Sequence, residues 1–68
     1  MEKDAYYRGA GMAEAMAAKL GTHEGSEGHP VNFERSGDYH RMVRHYPTQG
    51  CREAFCSGYR DRWSELCS

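Results

Sequence analysis

The sequence lacks a long hydrophobic run, because its hydrophobic residues, 38% of the chain, are scattered among charged ones. A helix that crosses a bilayer needs about 20 consecutive apolar residues, so the sequence predicts no membrane span. Residues 1–4 also lack the basic start and the apolar stretch of a signal peptide. Together these two absences predict a cytoplasmic protein.

Cysteine and lysine are both scarce. The three cysteines all lie after residue 50, and an odd number so crowded fits poorly with a secreted disulfide framework, so reduced thiols are expected. Both lysines lie before residue 20, whereas residues 39–68 carry five arginines against three acidic residues. Arginine suits carboxylates, phosphates and aromatic faces, so this half predicts either a polar binding surface or a solvated helix face.

Motifs with recognisable chemistry are missing. The chain has no glycine-rich phosphate loop of standard spacing, and no arrangement of Ser, His and Asp stands out from the ordinary supply of those residues. Cys51, beside Arg52 near a predicted helix start, has part of what an activated thiol needs, but no paired base can be assigned to it. The sequence therefore predicts neither an enzyme nor a cofactor.

A structural zinc site is the one metal hypothesis that the residues raise, through His40, His45, Cys51 and Cys56. The two histidines are five residues apart, and so are the two cysteines, which is roughly 140 degrees around a helix. Zinc modules usually place paired ligands two to four residues apart on a knuckle, or three to five apart on a helix, so that both face the metal. The spacing favours buried thiols and exposed imidazoles, and we predict no metal.

Hydrophobic periodicity predicts one all-α domain over residues 1–68. Three helices are expected, over about residues 3–20, 38–46 and 49–66, with a long Gly-rich loop over 21–36. Capping residues support these boundaries; the stop after the first helix is Gly21, the second opens at Ser36 or Asp38, and the third opens near Thr48. The loop is expected to be mobile or to meet a ligand.

Residues 5–9 and 54–58 repeat one pattern, Ala-aromatic-x-x-Gly. Small residues let helices approach closely, so the pattern predicts that the first and last helices pack together, antiparallel, with aromatic rings filling the Ala and Gly notches. A place in the core, in preference to a binding role, is expected for Tyr6, Phe55, Tyr59 and Trp63. Tyr7 lies on a different face and is the better candidate for an exposed contact.

The second predicted helix places a basic strip opposite its apolar stripe, made of His40, Arg41, Arg44 and His45. The third carries arginines that point away from its aromatic face. The predicted partner-binding residues are the exposed aromatic and cationic side chains Tyr7, Arg8, Arg41, Arg44, His45, Arg52, Arg60 and Arg62.

Two blocks of the chain resemble the ribosome modulation factors, a family of small bacterial proteins. They are residues 5–9 followed by Ala13, and residues 49–55 with Asp61-Arg62-Trp63. The resemblance covers about twenty residues. It implies a helical protein that binds the ribosome, contacting RNA and ribosomal protein through Arg8, Arg52 and their neighbours. The chain departs from the family in its slightly acidic charge and in having His45-Tyr46-Pro47 where a Cys-Pro-Tyr element is expected.

A non-enzymatic protein-binding module is the function we place first. Five tyrosines, one tryptophan and seven arginines supply the side chains that most often dominate protein interfaces. Such a module would modulate or inhibit its partner by occupying its surface, as a phage-encoded inhibitor of a host or defence protein does. The alternative is an RNA- or ribosome-binding regulator, a structural zinc domain is less favoured, and a homodimer is compatible with each.

Overall fold

A computed structural model describes residues 2–68 and shows four helices and no β-strand among them. The helices are α1 (Glu2–Leu20), α2 (Pro30–Phe33), α3 (Gly37–Val43) and α4 (Gln49–Cys67). The all-α prediction is confirmed, but the helix count differs from three because α2 lies inside the segment predicted as a loop. None of the helices in this described part is long and apolar enough to cross a membrane.

Local capping explains most of the helix boundaries. Gly21 adopts a left-handed φ of +82° and its N–H donates to the Ala17 carbonyl, which ends α1 as predicted. The Ser36 hydroxyl accepts the Tyr39 N–H at 3.3 Å at the start of α3, and the Thr48 hydroxyl accepts from an amide in the first turn of α4. The second predicted helix is shorter than expected, since α3 ends at Val43.

α1 and α4 touch through their backbones at the two repeated segments. A Cβ placed on Gly9 would overlap the carbonyl oxygen of Phe55, and one placed on Gly58 would overlap the carbonyl oxygen of Tyr6. The contact is reciprocal, and Ala5, in the first of these segments, is fully buried beside it. The predicted close approach at the glycines is therefore confirmed. Each glycine contacts the main chain of the opposite aromatic residue, however, and not its ring as predicted.

The two long helices run parallel, so the predicted antiparallel arrangement is wrong. The Glu2 carboxylate lies against Gly50 at the start of α4, and Arg62 pairs with Glu14 at 2.8 Å towards the far ends of both helices. The physical reason is connectivity, because the chain between them, residues 21–48, returns along the length of α1 before α4 begins. In an up-down-up path, the outer two passes share one direction.

The segment predicted as a loop, residues 21–36, packs onto the core instead of extending from it. Ser26 is 1% exposed; its hydroxyl donates to the Gly21 carbonyl at 2.7 Å and accepts the Gly28 N–H at 3.1 Å. The Tyr59 hydroxyl donates to the Gly28 carbonyl at 2.5 Å. This segment therefore forms a packed wall against the core, and the expectation that it is mobile or meets a ligand stays a prediction.

The core is a row of aromatic rings between α4 and this wall. Phe33 of α2 stacks on Tyr59 with ring centroids 4.2 Å apart, and Tyr59 in turn stacks parallel to Trp63. Phe55, Tyr59 and Trp63 are buried, as predicted for the third helix. Tyr6 is only half-buried, and its hydroxyl donates to the Asp61 carboxylate at 2.5 Å.

Candidate functional site

The eight predicted partner-binding residues do not share one face. Arg62 lies on the α1 side of α4, where it pairs with Glu14 and, at 3.6 Å, with Glu65. Arg60 lies on the other side of the same helix, where it pairs with Glu34 of the segment after α2. A partner that covered Arg60 would therefore leave Arg62 outside the contact, and the predicted set divides into separate surfaces.

The basic strip lies at the surface, as its sequence spacing predicts, but only partly on a helix. His40 and Arg41 belong to α3, and Arg41 pairs with Asp38 at 2.6 Å. Arg44 and His45 follow the helix in a turn, and both are exposed. The strip therefore includes one cation that is already paired and one, Arg44, that forms no ion pair within the described residues.

The four metal candidates do not converge. Within residues 2–68, no group of three or more His, Cys, Asp and Glu side chains is arranged to hold a metal ion. His40 and His45 are exposed, while Cys51 and Cys56 are half-buried and reduced. The imidazoles are exposed as predicted, whereas the thiols are half-buried and not fully buried.

Two predicted residues, Arg52 and Arg60, are brought together in a shallow groove of about 730 Å³ between α4 and the chain that packs beside it. We call this the α3–α4 groove. It is lined by residues of α4, of α3 and of the turn before α3, namely Glu34, Tyr39, Gln49, Arg52, Glu53, Cys56, Ser57 and Arg60.

Carboxylates neutralise much of the positive charge in this groove. Arg60 Nη2 donates to both oxygens of Glu34, at 2.9 and 3.0 Å, and this hydrogen bond raises the pKa of Arg60 above its ordinary value. Gln49 Nε2 donates to Glu53 at 3.1 Å, one helical turn along α4. The groove is therefore polar and of mixed charge.

Tyr39 and Cys56 form the half-buried part of the groove. The Cys56 thiol donates to the Tyr39 hydroxyl oxygen, with the sulfur 3.7 Å from the oxygen. Burial is the main cause that raises the pKa of each group above its ordinary value. Both groups are neutral near pH 7. Because burial opposes formation of the Cys56 thiolate, this part of the groove suits binding better than nucleophilic attack.

Tyr7 is exposed as predicted, with 62% of its surface in solvent. Its ring lies edge-on to Tyr6, with centroids 5.8 Å apart, on the side of α1 that does not face α4. Arg8, next in sequence, is exposed and forms no ion pair within the described residues. These two residues make a second surface, separate from the α3–α4 groove.

Sequence reasoning missed several lining residues of the groove because it grouped residues by charge. Gln49, Glu53, Cys56 and Arg60 recur at steps of four, three and four residues, which places them on one face of α4. From this spacing, the sequence could have predicted that these four residues share one face of α4. The opposite wall, made by Glu34 and Tyr39, depends on how α2 and α3 fold back, and no local pattern predicts it.

Comparison with protein-family models, with curated proteins and with solved structures finds no match to this chain. The resemblance to the ribosome modulation factors therefore stays a prediction from the sequence, and the function has to be argued from the groove and the exposed side chains.

Proposed function

We propose that this chain is a non-enzymatic protein-binding module that modulates or inhibits a macromolecular partner by occupying part of its surface. The observation that carries the proposal is the mixed charge of the α3–α4 groove, where Glu34 and Glu53 lie beside Arg60 and Arg52. Carboxylates at these positions repel a phosphate backbone, whereas protein surfaces offer both signs of charge.

The proposal extends to where and how the module acts. We expect it to work in the cytoplasm, by steric occupation, as phage-encoded inhibitors of host or defence proteins do. The exposed Tyr7 and the exposed arginines are the side chains that contribute most often to such interfaces. A homodimer is compatible with this mode of action and does not replace it.

Binding to RNA or to the ribosome is the second candidate function. One observation favours it, since four arginines form no ion pair within the described residues, namely Arg8, Arg35, Arg44 and Arg52. Unpaired cations are what a phosphate-binding surface needs. They are spread over separate elements, however, and the net charge of the chain is -1, so the protein-binding reading ranks first.

Affinity capture from a bacterial lysate, with and without nuclease, tests the proposal. We expect a protein that is retained after nuclease treatment and in raised salt, and that is lost from the double variant Arg41→Glu, Arg44→Glu or from Arg52→Glu. Circular dichroism of each variant should match the parent. Ribosomal components that disappear with nuclease and with salt would instead establish the second candidate, because counterion release makes phosphate contacts steeply salt-dependent.

A further inference from the structure

Among the charged side chains of the α3–α4 groove, one has no side-chain partner among residues 2–68. Glu34 is held by Arg60, and Glu53 accepts from Gln49. The Arg52 side chain is exposed and makes no hydrogen bond or ion pair with any described residue. Glu53 follows it directly in sequence, and neighbours on a helix point about 100 degrees apart, so Glu53 does not neutralise it. The groove therefore presents one unpaired cation.

A second hydrogen-bond donor lies in the same groove. Because the Tyr39 hydroxyl oxygen accepts from the Cys56 thiol, its own proton is left without an acceptor in the described chain. Tyr39 and Arg52 line the same groove, and burial is the main cause that raises the pKa of Tyr39. The α3–α4 groove thus has two hydrogen-bond donors without a partner among the described residues, the charged guanidinium of Arg52 and the neutral hydroxyl of Tyr39.

The chemistry that fits two such donors is a single carboxylate. A guanidinium and a hydroxyl satisfy its two oxygens, and one cation balances its one negative charge. A phosphate chain carries more negative charge than the single unpaired cation, Arg52, balances. The groove volume, about 730 Å³, lies within the range of small-ligand pockets in proteins.

We propose that the α3–α4 groove binds an acidic side chain of a protein partner, with its carboxylate held by the Arg52 guanidinium and the Tyr39 hydroxyl. Glu34 already balances the charge of Arg60, and the pair forms one wall of the site. This inference rests on the proposed function and adds the chemistry of the partner, which presents Asp or Glu at the point of contact.

Nuclear magnetic resonance of the 15N-labelled full chain tests the site with a defined probe, acetyl-Ala-Glu-Ala-amide. We expect shifts confined to the Arg52 side chain and to amides of the groove, and no such shifts from acetyl-Ala-Gln-Ala-amide. Arg52→Gln and Tyr39→Phe should each weaken binding, the former about tenfold or more, the loss expected for a charge-assisted hydrogen bond. Arg35→Gln, an exposed and unpaired arginine outside the groove, should bind as the parent does.

Each other outcome overturns the inference. Equal shifts from the Gln peptide, or unchanged binding by both variants, would remove carboxylate recognition at this site. Acetate that binds as well as the peptide would make it a site for free carboxylates, and stronger binding of an oligouridylate would make it a nucleic-acid surface. If Arg52→Gln still captures a nuclease-resistant protein from the lysate, the groove is wrong while the proposed function stands. If the peptide binds in the groove but no protein is captured from the lysate, the carboxylate site is right while the proposed function is wrong.

Discussion

The two sides of α4 are packed in opposite ways. On one side, α1 approaches so closely that Gly9 and Gly58 have no room for a methyl group. On the other side, α2 and α3 are held at a distance by aromatic rings, with Phe33 stacked against Tyr59. Backbone contact leaves no space between helices, whereas ring contact leaves gaps beside the rings, and the α3–α4 groove lies on this second side.

The two sides of α4 also differ in how many side chains they leave available to a partner. The α1 side needs small residues and buries them, so few side chains there are available to a partner. The other side exposes polar groups of α4 next to a short helix and turns, which tolerate substitution better than a backbone contact does. A binding surface is therefore expected on the second side, and the variants below separate the two.

The largest effect is expected from Phe33→Ala. It removes the ring that joins α2 to the aromatic row of α4, and truncation of a buried Phe costs about 3–5 kcal/mol. In so small a domain, this should abolish a cooperative thermal transition above room temperature. Circular dichroism melting is the measurement. A sharp transition close to that of the parent would mean that the α1–α4 contact alone carries the fold.

Gly58→Ala tests the α1 side. The added methyl group would overlap the Tyr6 carbonyl, and because that oxygen belongs to the helix backbone, the helices must separate, at about 1–3 kcal/mol. For a chain of this size, Tm should fall by about 4–8 °C for each kcal/mol.

The matched control for that variant is Gly11→Ala on α1. A Cβ there meets nothing within 4 Å, so the change should raise stability by about 0.5–1 kcal/mol through helix propensity. If both glycine variants melt alike, the close approach of the two helices is refuted.

Tyr59→Phe should have the smallest effect at neutral pH, about 1 kcal/mol, for the loss of its hydrogen bond to the Gly28 carbonyl. Burial raises the pKa of Tyr59 above its ordinary value of 10.0, so the unfolded chain releases this proton first as pH rises. Stability should therefore fall above about pH 10.

The measurement is Tm from pH 8 to 11, compared between the parent and Tyr59→Phe. The variant should lose less stability over this range, since it has no phenol at the buried position. Tyr7→Phe, which changes an exposed ring, serves as the control and should follow the parent. Parallel curves for the parent and Tyr59→Phe would show that this hydroxyl is not what makes the fold sensitive to alkali.

Local patterns predicted well whatever depends on neighbours in sequence. The stop at Gly21 and the caps at Ser36 and Thr48 were read correctly, because each involves residues within one helical turn. The buried aromatic stripe of α4 was also read correctly, since periodicity reports which face is apolar. The α3–α4 groove was not predicted as a unit, although two of its residues, Arg52 and Arg60, were on the expected list.

The sequence by itself determined the helical class, most helix ends and the small notches at Gly9 and Gly58. Only the tertiary structure decided that α1 and α4 are parallel, that residues 21–36 are a packed wall, and that Arg60 is paired while the Arg52 side chain has no ion-pair partner in the part of the chain that the structure describes. The physical reason is how far apart in the sequence the interacting residues lie. Caps and periodicity are set by residues a few positions apart, whereas the Tyr59 contact with Gly28 and the Arg60 pair with Glu34 join positions more than twenty residues apart.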